Sequence, residues 1–540
     1  MKDIYKLSKH YGKIGVISIL LAFTSCSEEQ ILDLSPYNNI DETKAFSSPS
    51  LIDLSVTGMY NAAQIGVYAG TGARGYVFGA AFIEQGDARG EDVINLASFF
   101  QLTYTATYDP TTANNVYFWQ DAYRLINRTN IVIEGVTKAA SEGIITQSVA
   151  DDYIGQAKFL RAITHFELLT HFARPFQDTP GASHLGIPYR TVPNNTQANI
   201  DLNLSQGRNT VAECYDKILA DLNEAEAKMK SKTSRSGTHA IDNATKEAAI
   251  AYKTKVYLQK GSWSNVITEG VKLNNVYTLT STPNGVFANN LSNTESIFSI
   301  ANDATNNPGP NGALPAMFNS FGAGGRGLVA ISPIIWRDAS WLTDDKRREE
   351  GVMITTGVAG AASNSGAKFT KKYKDAKTNS DAAPVIRYAE VLLNMAEAYA
   401  RQNDVVNGLL NLNKVRDRSL ASPSTQSYLS SSFSNNVQLL GAILKERRIE
   451  FLCEGHRWAD ISRLQADPYF PIDGVPGKVK NTGFSTLASA VAAYTLGSTY
   501  TLSSSDLPSV PYSNFKFVWP LPALEINYNK VLAAQQNPGY

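Results

Sequence analysis

LKERRIEFLCEGHRWADISRL, Leu444–Leu464, gathers Arg447, Arg448, three glutamates, a histidine and a tryptophan into a few turns of chain. Placed on a helix, Leu440, Ile443, Leu444, Phe451 and Leu452 follow the i, i+3, i+4 spacing of a buried face. The same face runs through Arg447 and Arg448. An arginine that points into a core must meet carboxylates there, because an unpaired buried charge is far costlier than a paired one. The stretch is therefore either an active site or an internal clamp, and the rest of the chain decides between them.

Lys+Arg and Asp+Glu both number 49 in 540 residues, so neither a basic excess points to nucleic acid nor an acidic one to disorder. The N-terminus carries the strongest compositional signal. Lys2, Lys6, Lys9 and Lys13 precede the apolar run Ile14–Phe23, which is too short to span a bilayer. Thr24 and Ser25 then lead to Cys26. This is a secretory leader, and small residues directly before a cysteine resemble a bacterial lipobox, with Phe23 where leucine is usual. Lipidated Cys26 would be the first residue of the mature chain, each buried methylene of its acyl chains contributing about 0.8 kcal/mol of anchoring. Ser27-Glu28-Glu29 is similar to the acidic tag that sends lipoproteins to the cell surface in Bacteroidetes-type bacteria. Cys214 and Cys453 lie in apolar helical patterns and are expected to be separate buried thiols.

Downstream, residues 51–66 read as a helix, and residues 67–115 as loop-rich, with six glycines and the aromatics Tyr68, Phe99, Phe100 and Tyr104. Helices then come in pairs: 116–137 with 149–174, 211–229 with 246–259, and 386–401 with 405–418. Alanines recur where helices must approach closely. Such hairpins resemble degenerate tetratricopeptide units, which bury a core between stacked neighbours and place insertions on one face. Two insertions are large. Residues 176–208 are rich in Pro, Asn and Gln; residues 302–337 are rich in Gly, Pro and Asn and are closed by Trp336 and Trp341. Trp119 and Trp263 fall within helical patterns and are expected in the core.

No GxSxG, HExxH, P-loop or CxxC pair is present. The run Gly322–Gly327 follows no clear strand, the histidines are scattered, and the pairs Asp344-Asp345 and Asp151-Asp152 read as caps or solvated faces. No metal site and no cofactor are expected.

Four motifs occur in order: RYAEVLLNMAEAYAR (387–401), LNKVRDRS (412–419), ILKERRIEFLCEGHRWADISRL (443–464) and WPLPALEINYNKVLAAQQNPGY (519–540). Together with SEEQILDLSPYNNI (27–40) they resemble the SusD/RagB family across nearly the whole chain. The resemblance implies a mainly α fold, a right-handed superhelix of degenerate tetratricopeptide-like hairpins with long loop insertions. It implies a leader over 1–25 and a single SusD-like domain over 26–540, with halves at 26–275 and 276–540. It further implies a non-catalytic lipoprotein on the extracellular face of the outer membrane. Such a protein captures a nutrient, usually an oligosaccharide, and delivers it to a SusC-like TonB-dependent transporter. The repeats would face the transporter and variable loops would hold ligand. Trp458 and Trp519 belong to the motifs and read as structural.

A pyranose offers a C–H face to an aromatic ring while amides, carboxylates and guanidinium groups bond its hydroxyls. Tyr68, Phe99, Phe100, Tyr104, Trp336 and Trp341 are accordingly the candidate ligand-binding residues. The competing readings are a surface glycoside hydrolase, which needs two opposed carboxylates, and a peptide-binding tetratricopeptide scaffold, which would use a groove along the repeats. In a non-catalytic helical lipoprotein the opening stretch is an internal clamp. Arg447 or Arg448 is expected to pair with Glu390, Glu397, Glu450 or Glu454 and to tie the last helix to the third hairpin.

Overall fold

In a computed structural model of the chain, the described residues are 44–68, 72–358 and 365–540. Cys26, its leader and the motif over 27–40 lie outside them. Contacts divide the chain at Ser55/Val56, within helix α1 (Pro49–Ile65). In the first unit, Ser55 Oγ closes the start of that helix on Leu51 O at 2.9 Å. All that follows concerns the second unit, Val56–Tyr540.

The fold is mainly helical. Short helix α2 (Ala80–Ala88) interrupts the stretch expected to be loop. The first hairpin is α3 (Ala113–Ser141) and α4 (Gln147–Phe172). After α5 (Gln197–Ser205) come α6 (Val211–Lys228), α7 (Lys246–Lys260) and α8 (Trp263–Val271). The C-terminal helices include α9 (Tyr388–Arg401), α10 (Val405–Asp417), α11 (Asn436–Glu450), α12 (Arg457–Arg463) and α13 (Ala523–Tyr528). Each packs on the next: α3 on α4, α4 on α6, α6 on α7, α7 on α8, α8 on α9, and α9 and α10 on α11. This is the stacking expected of degenerate repeats, in which each hairpin buries its apolar face on its neighbour.

Local chemistry sets the helix ends. Thr146, Thr210, Thr245, Asp404 and Asn435 each accept a hydrogen bond from an orphan backbone N–H, at the N-termini of α4, α6, α7, α10 and α11. Gly261 ends α7 at φ 71°, a conformation that costs little without a Cβ. Trp119 is in the core as expected, whereas Trp263 is half-buried beneath the Arg401 guanidinium, 4.6 Å from its ring. Cys214 and Cys453 are buried free thiols.

Among the described residues, four two-stranded ribbons pin the loop regions. They pair β1 (Val67–Tyr68) with β2 (Gly72–Ala73), β3 (Val93–Asn95) with β5 (Val329–Ile331), β4 (Ser296–Ile300) with β8 (Ala383–Arg387), and β6 (Ile354–Thr356) with β7 (Lys368–Thr370), all antiparallel. Ile386 and Arg387, expected to open a helix, instead end strand β8. APVIR carries β-branched residues and a proline, and β4 offers it a ladder.

The stretch Leu444–Leu464 is not one helix. It breaks between α11 and α12, where Cys453 (φ 63°) and Gly455 (φ 82°) turn left-handed. The turn lets Gly86 of α2 approach Gly455 so closely that a Cβ on Gly86 would lie 2.4 Å from Gly455 O.

Both arginines are clamps, but not with the expected partners. Arg447 donates to Asn394 Oδ1 at 2.6 Å and lies 3.3 Å from Asp460. Arg448 forks onto Asp92 and lies 3.0 Å from Glu91. The expected glutamates meet other side chains. Glu397 pairs with Arg463 at 2.6 Å and Arg401 at 2.9 Å, and Glu390 lies 3.5 Å from His456. Glu450 accepts from Arg387 at 2.6 Å, Arg418 at 2.6 Å and Arg347 at 2.9 Å. Around it, Arg387 also reaches Glu295 and Glu454, each at 2.8 Å, Arg347 reaches Asp345 at 2.8 Å and Glu446 at 2.5 Å, and Lys372 reaches Glu454 at 2.6 Å.

Removing one member strands the others. Arg387→Ala is expected to lower stability by about 3–5 kcal/mol, read as a shift in the urea midpoint. Burial opposes ionisation of Glu450, and Arg418, Arg387 and Arg347 overcome it, holding the carboxyl well below its usual range. Glu91 is likewise held at about 2 against burial by Arg457 and Arg448. A carboxyl depressed in the fold stabilises above its unfolded pKa of about 4.3 and loses that contribution as pH falls through the folded value. The melting temperature should therefore drop steeply from about pH 4.5 towards pH 2. An acid-insensitive melt would remove the network from the stability argument.

Candidate ligand-binding surface

Strand β3 lies in the loop-rich region 67–115 and β5 in the insertion 302–337, and they pair Val93 with Ile331 and Asn95 with Val329. The ladder continues as Leu96 N–H donates to Leu328 O at 2.8 Å and Ser332 N–H to Asp92 O at 2.9 Å. A second seam joins the same two regions, where Ala80 N–H donates to Gly312 O at 3.1 Å. The loop-rich region 67–115 and the insertion 302–337 thus form one loop face.

The structure spreads the candidate aromatics over different roles. Tyr68 sits in β1, and its side chain lies outside the described residues. Phe99 is half-buried, with the Arg326 guanidinium 5.6 Å from its ring centroid, while its carbonyl accepts from Asn95 Nδ2 at 2.7 Å. Phe100 turns left-handed (φ 57°), which sends its ring inward, edge-on to Tyr76. Tyr104 is 1% exposed and donates its hydroxyl to Val479 O at 2.6 Å. Trp336 is 6% exposed, bonds Tyr494 O at 3.0 Å through Nε1, and packs edge-on against Trp341. Arg348 lies between those two rings, at 4.5 and 4.2 Å from their centroids, and donates to both their carbonyls. Phe100, Tyr104, Trp336 and Trp341 therefore offer no free ring face to a sugar in this conformation. They are the apolar anchors that pin their loops, because a long insertion must bury large side chains to hold a shape.

Alongside Phe99, further groups on this face stand outside that candidate set. Phe321 opens a tight turn on the loop entering β5 and is 50% exposed, with half-exposed Val358 beside Gly322 of the same turn. Arg326 is oriented by donation to Asn311 Oδ1 at 2.8 Å and Pro310 O at 3.1 Å, so its planar group is held over Phe99. Their signal was the run Gly322–Gly327, whose glycines shape the turn that presents Arg326 and Phe321. Beneath, both carboxylate oxygens of Glu84 are buried without a hydrogen-bond partner. Burial holds that carboxyl well above its usual range, against the pull of Arg326.

The carboxylate pairs are taken up by the fold. Asp345 caps a turn and holds Arg347, Asp344 accepts from Gln426, Asp151 pairs with Lys228, and Asp152 with Arg235 at 2.9 Å.

Residues 338–540 match the family model described as SusD family. Residues 30–258 match a second, described as starch-binding associating with outer membrane. The chain belongs to the SusD family. Among solved structures, a SusD superfamily protein from Bacteroides fragilis is 25% identical, with 90% of this chain and 99% of that one covered at a TM-score of 0.71. One from Bacteroides thetaiotaomicron is 20% identical over 91% of this chain and 100% of that one, at a TM-score of 0.67. A SusD-like carbohydrate binding protein from Bacteroides vulgatus is 19% identical over 90% of this chain and 98% of that one, at 0.68. No curated protein sequence matches the chain. Among the described residues of this SusD family member, no helix is long and apolar enough to cross a membrane.

Trp336→Ala and Tyr104→Ala should each cost about 3–5 kcal/mol of stability, as for large-to-small changes in a core. Denaturant titration reads this directly. A variant with full stability but weakened glycan affinity would return these rings to the binding site.

Proposed function

We propose that the protein captures oligosaccharide at the cell surface on the loop face built by the β3–β5 ribbon, and releases it to a SusC-like TonB-dependent transporter without cleaving it. The observation that carries this reading is that the loop-rich region 67–115 and the insertion 302–337 converge there and leave Phe321 exposed and Phe99 and Arg326 partly exposed. An exposed ring supplies the apolar face for a pyranose, and a fixed guanidinium supplies paired donors for its hydroxyls. The family's starch-binding description supports the ligand class. A hydrolase would need two free opposed carboxylates, whereas the paired aspartates already serve caps and ion pairs. Anchoring is assigned to acyl chains on Cys26, on the outer face of the outer membrane.

Affinity electrophoresis across a polysaccharide panel, followed by calorimetry on the best ligand, tests this. Phe321→Ala and Arg326→Ala should each weaken binding by about tenfold, roughly 1.4 kcal/mol, the first with an unchanged melting temperature, and no reducing ends should accumulate. Wild-type affinity in both variants would remove the loop face from the site. Cys26→Ala should leave the processed protein in the soluble fraction; persistent membrane association would contradict the lipid anchor.

A further inference from the structure

A second surface lies on the repeats. The outer side of α3, the segment over 188–203 and α13 enclose a cleft of about 640 Å³. It opens into a neighbouring one of about 490 Å³ that shares Trp119, Gln120, Arg190, Asn194, Asn203 and Glu525. Both volumes lie within the range of about 300–1,000 Å³ typical of small-ligand sites. We propose that this cleft is a second binding site, for a short neutral oligosaccharide, separate from the loop face.

The walls are rigid and their charges are mostly spent. Glu525 accepts from Trp119 Nε1 at 3.1 Å and pairs with Arg190, and Asp121 pairs with Arg124 at 2.8 Å. Arg190 is also stacked on Tyr123, 4.7 Å from its centroid. Asn194 is fixed from both sides, by its N–H to Asn127 Oδ1 at 2.7 Å and by Asn203 Nδ2 on its side-chain oxygen at 2.5 Å. Among the described residues, Arg190 Nε is buried without a hydrogen-bond partner, on a residue only 9% exposed, and the half-exposed Gln120 amide and the exposed Asn194 amide line the cleft beside it. A buried donor without a partner is rare enough in a native fold to need an explanation. The two amides donate and accept without net charge and the Arg190 charge is met by Glu525, so the groups left for a ligand are the complement of vicinal hydroxyls. A carboxylate ligand would meet Glu525 and Asp121, and an ammonium would meet Arg190, Arg124 and Arg128.

The mouth supplies the apolar half of sugar recognition. Tyr528 is 75% exposed, makes no hydrogen bond or ring contact among the described residues, and stands beside exposed Leu524 and Leu204 along the second cavity. A pyranose stacked on Tyr528 would carry its hydroxyls towards Gln120 and Asn194. An extended peptide would also use amides, but it draws less from an isolated exposed ring beside an unpartnered donor.

The test uses the purified full chain and calorimetry with maltohexaose, xylohexaose, mannohexaose and cellohexaose, with and without an octapeptide of alternating alanine and threonine. The wild type should bind two equivalents of one hexasaccharide. Gln120→Ala/Tyr528→Ala should bind one, with affinity at the lost site reduced at least tenfold and the melting temperature unchanged, since neither side chain bonds the fold. Phe321→Ala/Arg326→Ala should retain the equivalent that Gln120→Ala/Tyr528→Ala loses. One equivalent in the wild type, lost only in Phe321→Ala/Arg326→Ala, overturns the second site and leaves the loop face standing. One equivalent lost only in Gln120→Ala/Tyr528→Ala sustains the cleft and overturns the loop face. Displacement of sugar from the cleft by the octapeptide, or no binding of any hexasaccharide, overturns the proposal.

Discussion

Glu450 receives three guanidinium groups, from Arg347, Arg387 and Arg418, and it is wholly buried. A single carboxylate cannot balance three cations, so Glu295, Glu446, Glu454 and Asp345 close the account around it. These groups arrive from β4, from the turn before β6, from the end of β8, from the end of α10 and from both sides of the α11 break. Each segment must be in place before any pair is satisfied. Such a network adds less net energy than its contacts suggest, since every ion gives up its hydration. Its consequence is discrimination: a misplaced segment leaves an uncompensated buried charge.

The same stretch reaches the loop face by one further step. Arg448 forks onto Asp92, and Arg457 onto Glu91. Asp92 and Glu91 directly precede β3, and the Asp92 carbonyl accepts from Ser332 at the end of β5. The ion pairs therefore fix the root of the ribbon from which Phe99 and Arg326 project. The most charged segment of the chain touches no candidate ligand group, yet it sets where those groups stand.

Helices were legible because apolar periodicity and capping residues act locally. The span expected at 211–229 ends one residue earlier, and Thr210 and Glu213 close its start as a capping box. Longer-range choices were not legible. The helical reading of Leu444–Leu464 fails at Cys453, a non-glycine residue whose left-handed turn is imposed by packing against α2 and by Tyr373, which donates to its carbonyl at 2.7 Å. The clamp was recognised, but Arg448 meets Asp92, 356 residues away, and no pattern within a hairpin encodes that. At the loop face the regions could be read and the residues could not. In the pair Phe99-Phe100, the backbone angle at the second decides which ring goes inward. Aromatic content alone cannot separate a loop's anchor from its tip.

Arg89 shows how the terminal motif is held without any carboxylate. Its guanidinium is wholly buried, 3.2 Å from the Trp458 ring centroid and 5.0 Å from that of Trp519. It lies 3.2 Å from His171 Nδ1 and donates to the Phe517 carbonyl. Burial pulls its pKa down to about 10, so it stays charged at neutral pH. His171 is held well below its usual value, first by burial and then by Arg89, so it is neutral and Nδ1 is free to accept. A planar, weakly hydrated cation tolerates such a cage of π faces where an ammonium would not. Substituting lysine at position 89 would keep the charge and lose both the stack and the fork. Trp458 and Trp519, far apart in sequence, thus share one cation with α2 and α4. That shared contact gives the paired tryptophans of the motifs a physical reason to occur together.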